Sequence, residues 1–437
     1  KAEEDPITPT CRATVTFLAG LAVAAPVLAS APAPSPDQLA AYVSARAADA
    51  LGDPAQAAQL FSNLSRERPG DMDLRRRAVI GAIAAGDMRL ALELGRSIPV
   101  AQTPLDLRML LVADELRSGR GKRTLDILRT REGTIDSSFL APFLEAWLLA
   151  DRRNPKAIDV LAQVTSASAL AAQLNEQRAL VYLKLNRPQD AMAYARPALA
   201  AAAGRGDRLR LALADGFVAA GDRGQALQIL EGAGPALAAG RARIAAGKPT
   251  GMAIDSSLTA FSELMVGLSL ALGRLEDKGL PIAFAQVARF ANPANSAGAI
   301  LLALLLEDDG RPTDALEVLH GMTPNDPFAA QAEDAAIRIL LNSGREAEAL
   351  QRARQAADAR PGADAYARLG VVHIEMQNFP AAADAYGRAI QASGGSASSD
   401  EPWMLRLYRA SALEESGKWE EGKGENAAEV KEKTDNP

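Results

Sequence analysis

Cysteine is almost absent: Cys11 is the only one in 437 residues. No intramolecular disulfide can form, so nothing in the fold depends on an oxidising compartment. Its position in the N-terminal leader also removes it as a nucleophile. Histidine is nearly as scarce, with His320 and His373 the only two. Neither has a second His four residues away with a Glu between, the spacing that turns two imidazoles toward one metal. Both read as structural, His373 as a surface or groove residue. Aromatics make up 4% of the chain and β-branched runs are few, whereas Ala and Leu dominate. That composition favours helix over strand throughout, an all-α chain. Excess positive charge is missing as well. A net charge of −6 and a pI near 5.3 give no electrostatic footprint for nucleic acid.

Catalytic patterns are equally thin. Gly119 to Thr124 and Gly240 to Thr250 mimic a phosphate loop, but the first glycine stands one or six residues from Gly-Lys where four are needed. Arg123 or Pro249 takes the hydroxyl position, and no strand feeds either loop. A Gly-x-Ser-x-Gly elbow is absent. The carboxylate groups Glu307-Asp308-Asp309 and Glu420-Glu421 read as solvated surface charge. No catalytic residue, cofactor or metal ligand is expected.

What is present begins with the leader, residues 1–36. Arg12 is followed by the apolar run ATVTFLAGLAVAAPVLASA and then by a Pro-rich segment. A basic residue, an apolar stretch and the small residues Ala29-Ser30-Ala31 match a secretory signal with cleavage after Ala31. This predicts a periplasmic or cell-envelope protein of a Gram-negative bacterium. An uncleaved anchor giving membrane association is the alternative, since Thr14 to Ala31 approaches a bilayer-spanning length, although Pro26 and the alanines weaken it. The residues before it, KAEEDPITPTC, are acidic and lack an initial Met. They suggest a fragment or an altered start.

The strongest signal is a repeat. Gly52-Asp53 recurs as Gly86-Asp87, and the alanine after each turn steps from Ala57 to Ala91, Ala157 to Ala191 to Ala226, and Ala315 to Ala349 to Ala382. Each step is close to 34 residues, too regular for accident. Within each unit, apolar residues keep helical spacing on both sides of a short break such as GDP, GDM, NRP, GDR or QNFP. Pro54, Pro188, Pro312 and Pro380 suit the first position of a second helix, where no N–H is needed. Each unit is therefore a helix, a tight turn and a helix.

This pattern resembles the tetratricopeptide repeat (TPR) family, in an exported bacterial form. The best copy is YARLGVVHIEMQNFPAAADAYGRAI: Tyr366 fills the first aromatic position, Leu369-Gly370 the Leu-Gly pair, Ala382 the small residue, and Tyr386 and Ala389 the aromatic-then-small pair. Ala45, Ala57, Phe61 and Pro69 match in the first unit, whereas Leu125 and Gly422 stand where alanine is expected. The resemblance implies a right-handed α-solenoid of about ten helix-turn-helix TPR-like repeats. N-terminal repeats span 37–231 and C-terminal repeats 258–422, divided by an irregular loop or hinge at 232–257. A charged tail follows at 423–437, expected to be disordered.

In such a solenoid first helices line the concave face, the default binding surface. The resemblance proposes as protein-binding residues Tyr42, Arg46, Asp49, Asp73, Arg76, Glu176, Asp215, Glu307, Asp334, Arg338, Val371 and Ile374. The Lys and Asn pair of carboxylate-clamping modules is missing, the equivalent positions reading Tyr42/Arg46, Arg76/Ile80, Asp334/Arg338 and Leu407/Ser411. The expected function is a non-enzymatic scaffold or adaptor that holds a protein or peptide in its groove. Two alternatives stay open: an accessory or truncated part of an envelope peptidase or glycosyltransferase whose catalytic domain is absent, and a cytosolic TPR adaptor.

Overall fold

The computed structural model describes residues 35–418 apart from 131–135, 166–169, 233, 324 and 394–400. The expected signal or anchor at 14–31, Cys11, Gly422 and the tail at 423–437 lie outside the described residues. Among the described residues there are helices and no strands, and no helix is long and apolar enough to cross a membrane.

Among the described residues ten helical hairpins follow one another. Six come first: α1 (Pro36–Ala50) with α2 (Pro54–Glu67), α3 (Met72–Ala85) with α4 (Met88–Gly95), α5 (Leu105–Arg117) with α6 (Gly121–Arg129), α7 (Ala141–Asp151) with α8 (Lys156–Ala162), α9 (Leu174–Lys184) with α10 (Pro188–Ala201), and α11 (Gly206–Ala219) with α12 (Arg223–Ile229). A single helix, α13 (Pro235–Ala245), interrupts the alternation. Four hairpins and a last helix complete it: α14 (Ser257–Leu272) with α15 (Gly279–Ala291), α16 (Ser296–Asp308) with α17 (Pro312–His320), α18 (Ala329–Asn342) with α19 (Glu346–Ala359), α20 (Ala363–Glu375) with α21 (Phe379–Ala392), and α22 (Glu401–Glu415).

The sequence turns are the hairpin turns, and their chemistry explains the breaks. One residue in each adopts the left-handed conformation: Gly52 (φ 75°), Gly86 (80°), Gly221 (83°), Gly310 (76°) and Gly344 (68°). Glycine takes this conformation without the penalty a Cβ brings. Asn186 (61°) and Gln377 (55°) carry it in the NRP and QNFP turns, where no glycine is available. The next aspartate then caps the second helix. Asp53, Asp87 and Asp222 accept from the N–H of Gln56 (2.9 Å), Leu90 (2.9 Å) and Gln225 (3.0 Å). Such a cap contributes about 1 kcal/mol.

The small residues of the repeat permit close packing. A Cβ on Gly81 of α3 would stand 3.1 Å from the Pro54 carbonyl and 3.2 Å from the Ala58 nitrogen of α2. Ala57, Ala91, Ala157, Ala191, Ala226, Ala315, Ala349 and Ala382, the alanines of the 34-residue step, are all buried.

Residues 232–257, expected as a loop or hinge between two stacks, contain α13 and an anchored stretch. One apolar core runs across them without a gap, from Ala58 through Phe143, Trp147, Phe217 and Phe261 to Phe284 and Phe328. Smaller clusters continue it toward α22.

Candidate protein-binding surface

The first helices α3, α5, α7, α9 and α11 do not face an open groove. The hairpin α14–α15 folds back against them: α15 packs on α3 and α5, and α14 on α5 and α7. Sequence explains why α14 can lie there. SLTAFSELMVGLSLAL is apolar on every side, with Glu263 its one charged residue, and a helix of that kind is stable only when surrounded. Polar contacts fix the seat. Ser257 donates its N–H to Asp151 of α7 (3.1 Å), and Arg117 of α5 donates to the Phe290 carbonyl (2.6 Å) while lying 4.5 Å from the centre of that ring. At Gly267 of α14 a Cβ would come within 2.0 Å of the Gln173 amide, so glycine lets the two segments meet.

Glu263 anchors the arrangement. It is 0% exposed, and Arg208 of α11 reaches it at 2.7 Å, Arg205 at 3.0 Å and the Asn295 amide at 2.9 Å. Arg205 also donates to Glu176 of α9 at 2.8 and 3.1 Å. Burial by itself raises the Glu263 pKa, but Arg208 and Arg205 outweigh it and hold the carboxyl below its ordinary value. Burial likewise opposes the charge of Arg205, yet Glu176 and Glu263 keep its pKa above the ordinary arginine value. A second tie closes the stretch before α14. Asp215 of α11 accepts the N–H of Thr250 (2.6 Å) and of Met252 (2.9 Å) and the Thr250 hydroxyl (2.8 Å).

Two of the residues proposed for the concave face therefore have another placement. Glu176 and Asp215 are buried, and their partners belong to the chain itself. Glu176 is taken up by Arg205, which also reaches Glu263 of α14, and Asp215 by residues 250–252. Arg205, Arg208 and Glu263 were missed. The lone carboxylate in an otherwise uncharged helix is the signal that marks Glu263, because a buried charge requires a partner.

The remaining ten positions stay at least partly accessible. Near the N-terminus Tyr42 is half-buried with its ring edge-on to Phe61 at 6.0 Å, and Arg46 and Asp49 are exposed. Asp73 holds Arg77 at 3.0 Å, and Arg76 donates to the Gln102 carbonyl (3.3 Å) and side chain (3.2 Å). Among the described residues no such hairpin covers the first helices α16, α18, α20 and α22 of the C-terminal half. Glu307 accepts from Arg338 (3.4 Å) and from the Asn342 amide (2.7 Å) across α16 and α18. Asp334 of α18 pairs with Arg368 of α20. Ile374 is half-buried, Val371 is 45% exposed, and Leu407 and Tyr408 of α22 are 40% and 48% exposed. The structure thus brings Glu307, Asp334, Arg338, Val371 and Ile374 onto one run of first helices, and places Tyr42, Arg46, Asp49, Asp73 and Arg76 on α1 and α3.

No family model matches the chain, and no curated protein matches it. Solved structures of low identity do. Yeast Tom70 shares 12% identity over 90% of this chain and 92% of its own, with a TM-score of 0.31. The Cut9–Hcn1 hetero-tetramer of the APC/C shares 12% over 91% and 88%, with a TM-score of 0.28. The TPR domain of P58(IPK) shares 14% over 87% and 99%, with a TM-score of 0.23. Likeness at this level says nothing of a partner or an activity, and the fold described above rests on the chain's own hairpins.

Proposed function

We propose that the chain is a non-enzymatic protein-binding scaffold of the TPR kind, and that its working surface is the run of first helices from α16 to α22. One observation supports this reading above the others. The concave side of the N-terminal half is filled by the chain's own α14–α15, whereas among the described residues the corresponding side of the C-terminal half keeps Val371 and Leu407 exposed beside the polar row Glu307, Asp334 and Arg338. Exposed apolar side chains rimmed by paired charges suit a peptide segment or protein surface, held by burial and oriented by scattered hydrogen bonds. The apolar leader motivates the further proposal that this binding takes place on the envelope side of a bacterial cell.

Site-specific photocrosslinking in the native host tests the surface. A crosslinker at Val371 or Arg338 should capture a discrete partner, and the same group at Glu348, on the second helix α19, should not. Val371→Asp combined with Arg338→Glu should abolish the adduct while the melting temperature stays within a few degrees of wild type. Equal capture at all three positions would sink the assignment. Fractionation tests the compartment: full-length, uncleaved protein recovered in the cytosol would overturn the export proposal.

A further inference from the structure

On the side of the C-terminal hairpins opposite the first-helix surface lies a cleft of about 390 Å³ whose lining includes Arg354, Asp358, His373, Asn378, Asp384 and Arg388. Its walls are the second helices α19 and α21, and its floor is α20. His373 lies at that floor, 5% exposed, and its Nδ1 has no hydrogen-bond partner. Buried ring nitrogens are ordinarily paired, so an orphan one facing a cleft marks a place where a partner is missing. The two walls each contribute an arginine. Arg388 lies over the Tyr366 ring at 5.1 Å, and among the described residues neither it nor Arg354 forms an ion pair with a carboxylate. Asp358 and Asp384 stand one helical turn from Arg354 and Arg388 on the same walls, and neither bridges to them. Asn378 is committed to capping α21, its side-chain oxygen accepting the Ala381 N–H at 3.4 Å.

Both guanidinium groups act on the ring at the floor. Burial lowers the His373 pKa, and Arg354 and Arg388 lower it further. The imidazole therefore takes up a proton less readily than a free one, with two cations near it and Nδ1 without a hydrogen-bond partner. A ligand carrying negative oxygen atoms would reverse each of these features: it would accept from both guanidinium groups, offset their repulsion of a proton on the ring, and give a protonated Nδ1 a partner.

We propose that this cleft binds a small oxyanion, a carboxylate or a phosphate, between Arg354 and Arg388 above His373, and that His373 takes up a proton from solvent as the anion enters. Because the coupling is reciprocal, the anion raises the proton affinity of His373, and acidification strengthens anion binding. The site is independent of the first-helix surface and does not rest on its being a binding face.

Selective ¹³C labelling of histidine gives the readout, since the chain has only two, and His320→Gln assigns the pair. The full chain is titrated through the histidine range alone, with inorganic phosphate, and with acetate. The expected result is an upward shift of the His373 midpoint with phosphate, absent at His320 and abolished in Arg354→Gln/Arg388→Gln. The two arginines are exposed, so this variant should keep its circular dichroism and melting temperature. A shift with acetate as large as that with phosphate would identify a carboxylate, such as an acidic side chain, as the natural occupant. A shift with phosphate alone would identify a phosphate. No shift with either anion, or one that survives loss of both arginines, would overturn the proposal.

Discussion

Arg208 of α11 and Glu263 of α14 meet at 2.7 Å with both side chains buried, and this contact ties the C-terminal half of the chain to the concave side of the N-terminal half. Arg205 joins from the same side and carries Glu176 with it. A surface expected to receive a partner is thereby occupied by the chain itself.

Removing the charge of Glu263 should be costly because its partners stay behind. Glu263→Gln leaves Arg205 and Arg208 buried with an uncompensated charge, and breaking a buried ion pair in this way costs about 3 to 5 kcal/mol. Urea unfolding should show that loss. Glu263→Leu paired with Arg208→Leu should lose less than the two single variants together; additivity would mean that the two residues are not coupled.

Acid should weaken the same cluster. The folded-state pKa of Glu263 lies below its ordinary 4.5, so its contribution is fully present above that value and is lost as pH falls through the folded pKa. Stability measured from pH 6 downward should therefore fall more steeply below about 4.5 in wild type than in Glu263→Gln. Parallel curves would contradict the assignment.

His373 adds a separate dependence at higher pH. Its folded pKa lies below the ordinary 6.5 through burial and then through Arg354 and Arg388. The unfolded chain takes up the proton first, so stability declines as pH drops below about 6.5 and levels off below the folded pKa. In anion-free buffer His373→Gln should flatten this portion of the profile.

Gly370 and Tyr386 carry the best copy of the repeat. A Cβ on Gly370 would stand 2.7 Å from the ring of Tyr386, closer than real Cβ contacts, and Ala382 nearby is fully buried. Gly370→Ala and Ala382→Leu should each destabilise by about 1 to 3 kcal/mol through overpacking. The loss from Gly370→Ala should shrink in a Tyr386→Leu background, which removes the ring. Unchanged melting curves would refute the packing.

Asp215 should control access to residues 246–256. Asp215→Ala leaves the Thr250 N–H buried without an acceptor, a cost of about 1 to 3 kcal/mol, and leaves the Met252 N–H only the Thr250 hydroxyl at 3.2 Å. Limited proteolysis should then cut within this stretch at protease levels that leave wild type intact.

The local structure was legible in the sequence because it depends on neighbours in the chain. A glycine followed by aspartate, or an asparagine followed by arginine and proline, sets a left-handed residue and starts a helix whatever lies around it. The spacing of Ala57, Ala91, Ala157, Ala191, Ala226, Ala315, Ala349 and Ala382 gave the hairpins because close packing within a hairpin admits only small side chains.

Which of those positions remain open is a long-range matter. Glu176 and Asp215 occupy the repeat positions expected of contact residues, yet Arg205 and residues 250–252 take them up, and nothing in the local pattern around either residue announces it. The clue lay elsewhere, in the uncharged circumference of α14 and the single carboxylate Glu263. His373 shows the same division: its helix was evident, while its burial against α19 and α21 depended on where neighbouring hairpins stack. Sequence by itself determined the hairpin, its turns and its period, which arise from backbone conformation and contacts within about 34 residues. Only the tertiary structure decided which first helices the chain itself covers, because α14 is stabilised by burial against helices far from it in the chain, and burial is a property of the assembled fold.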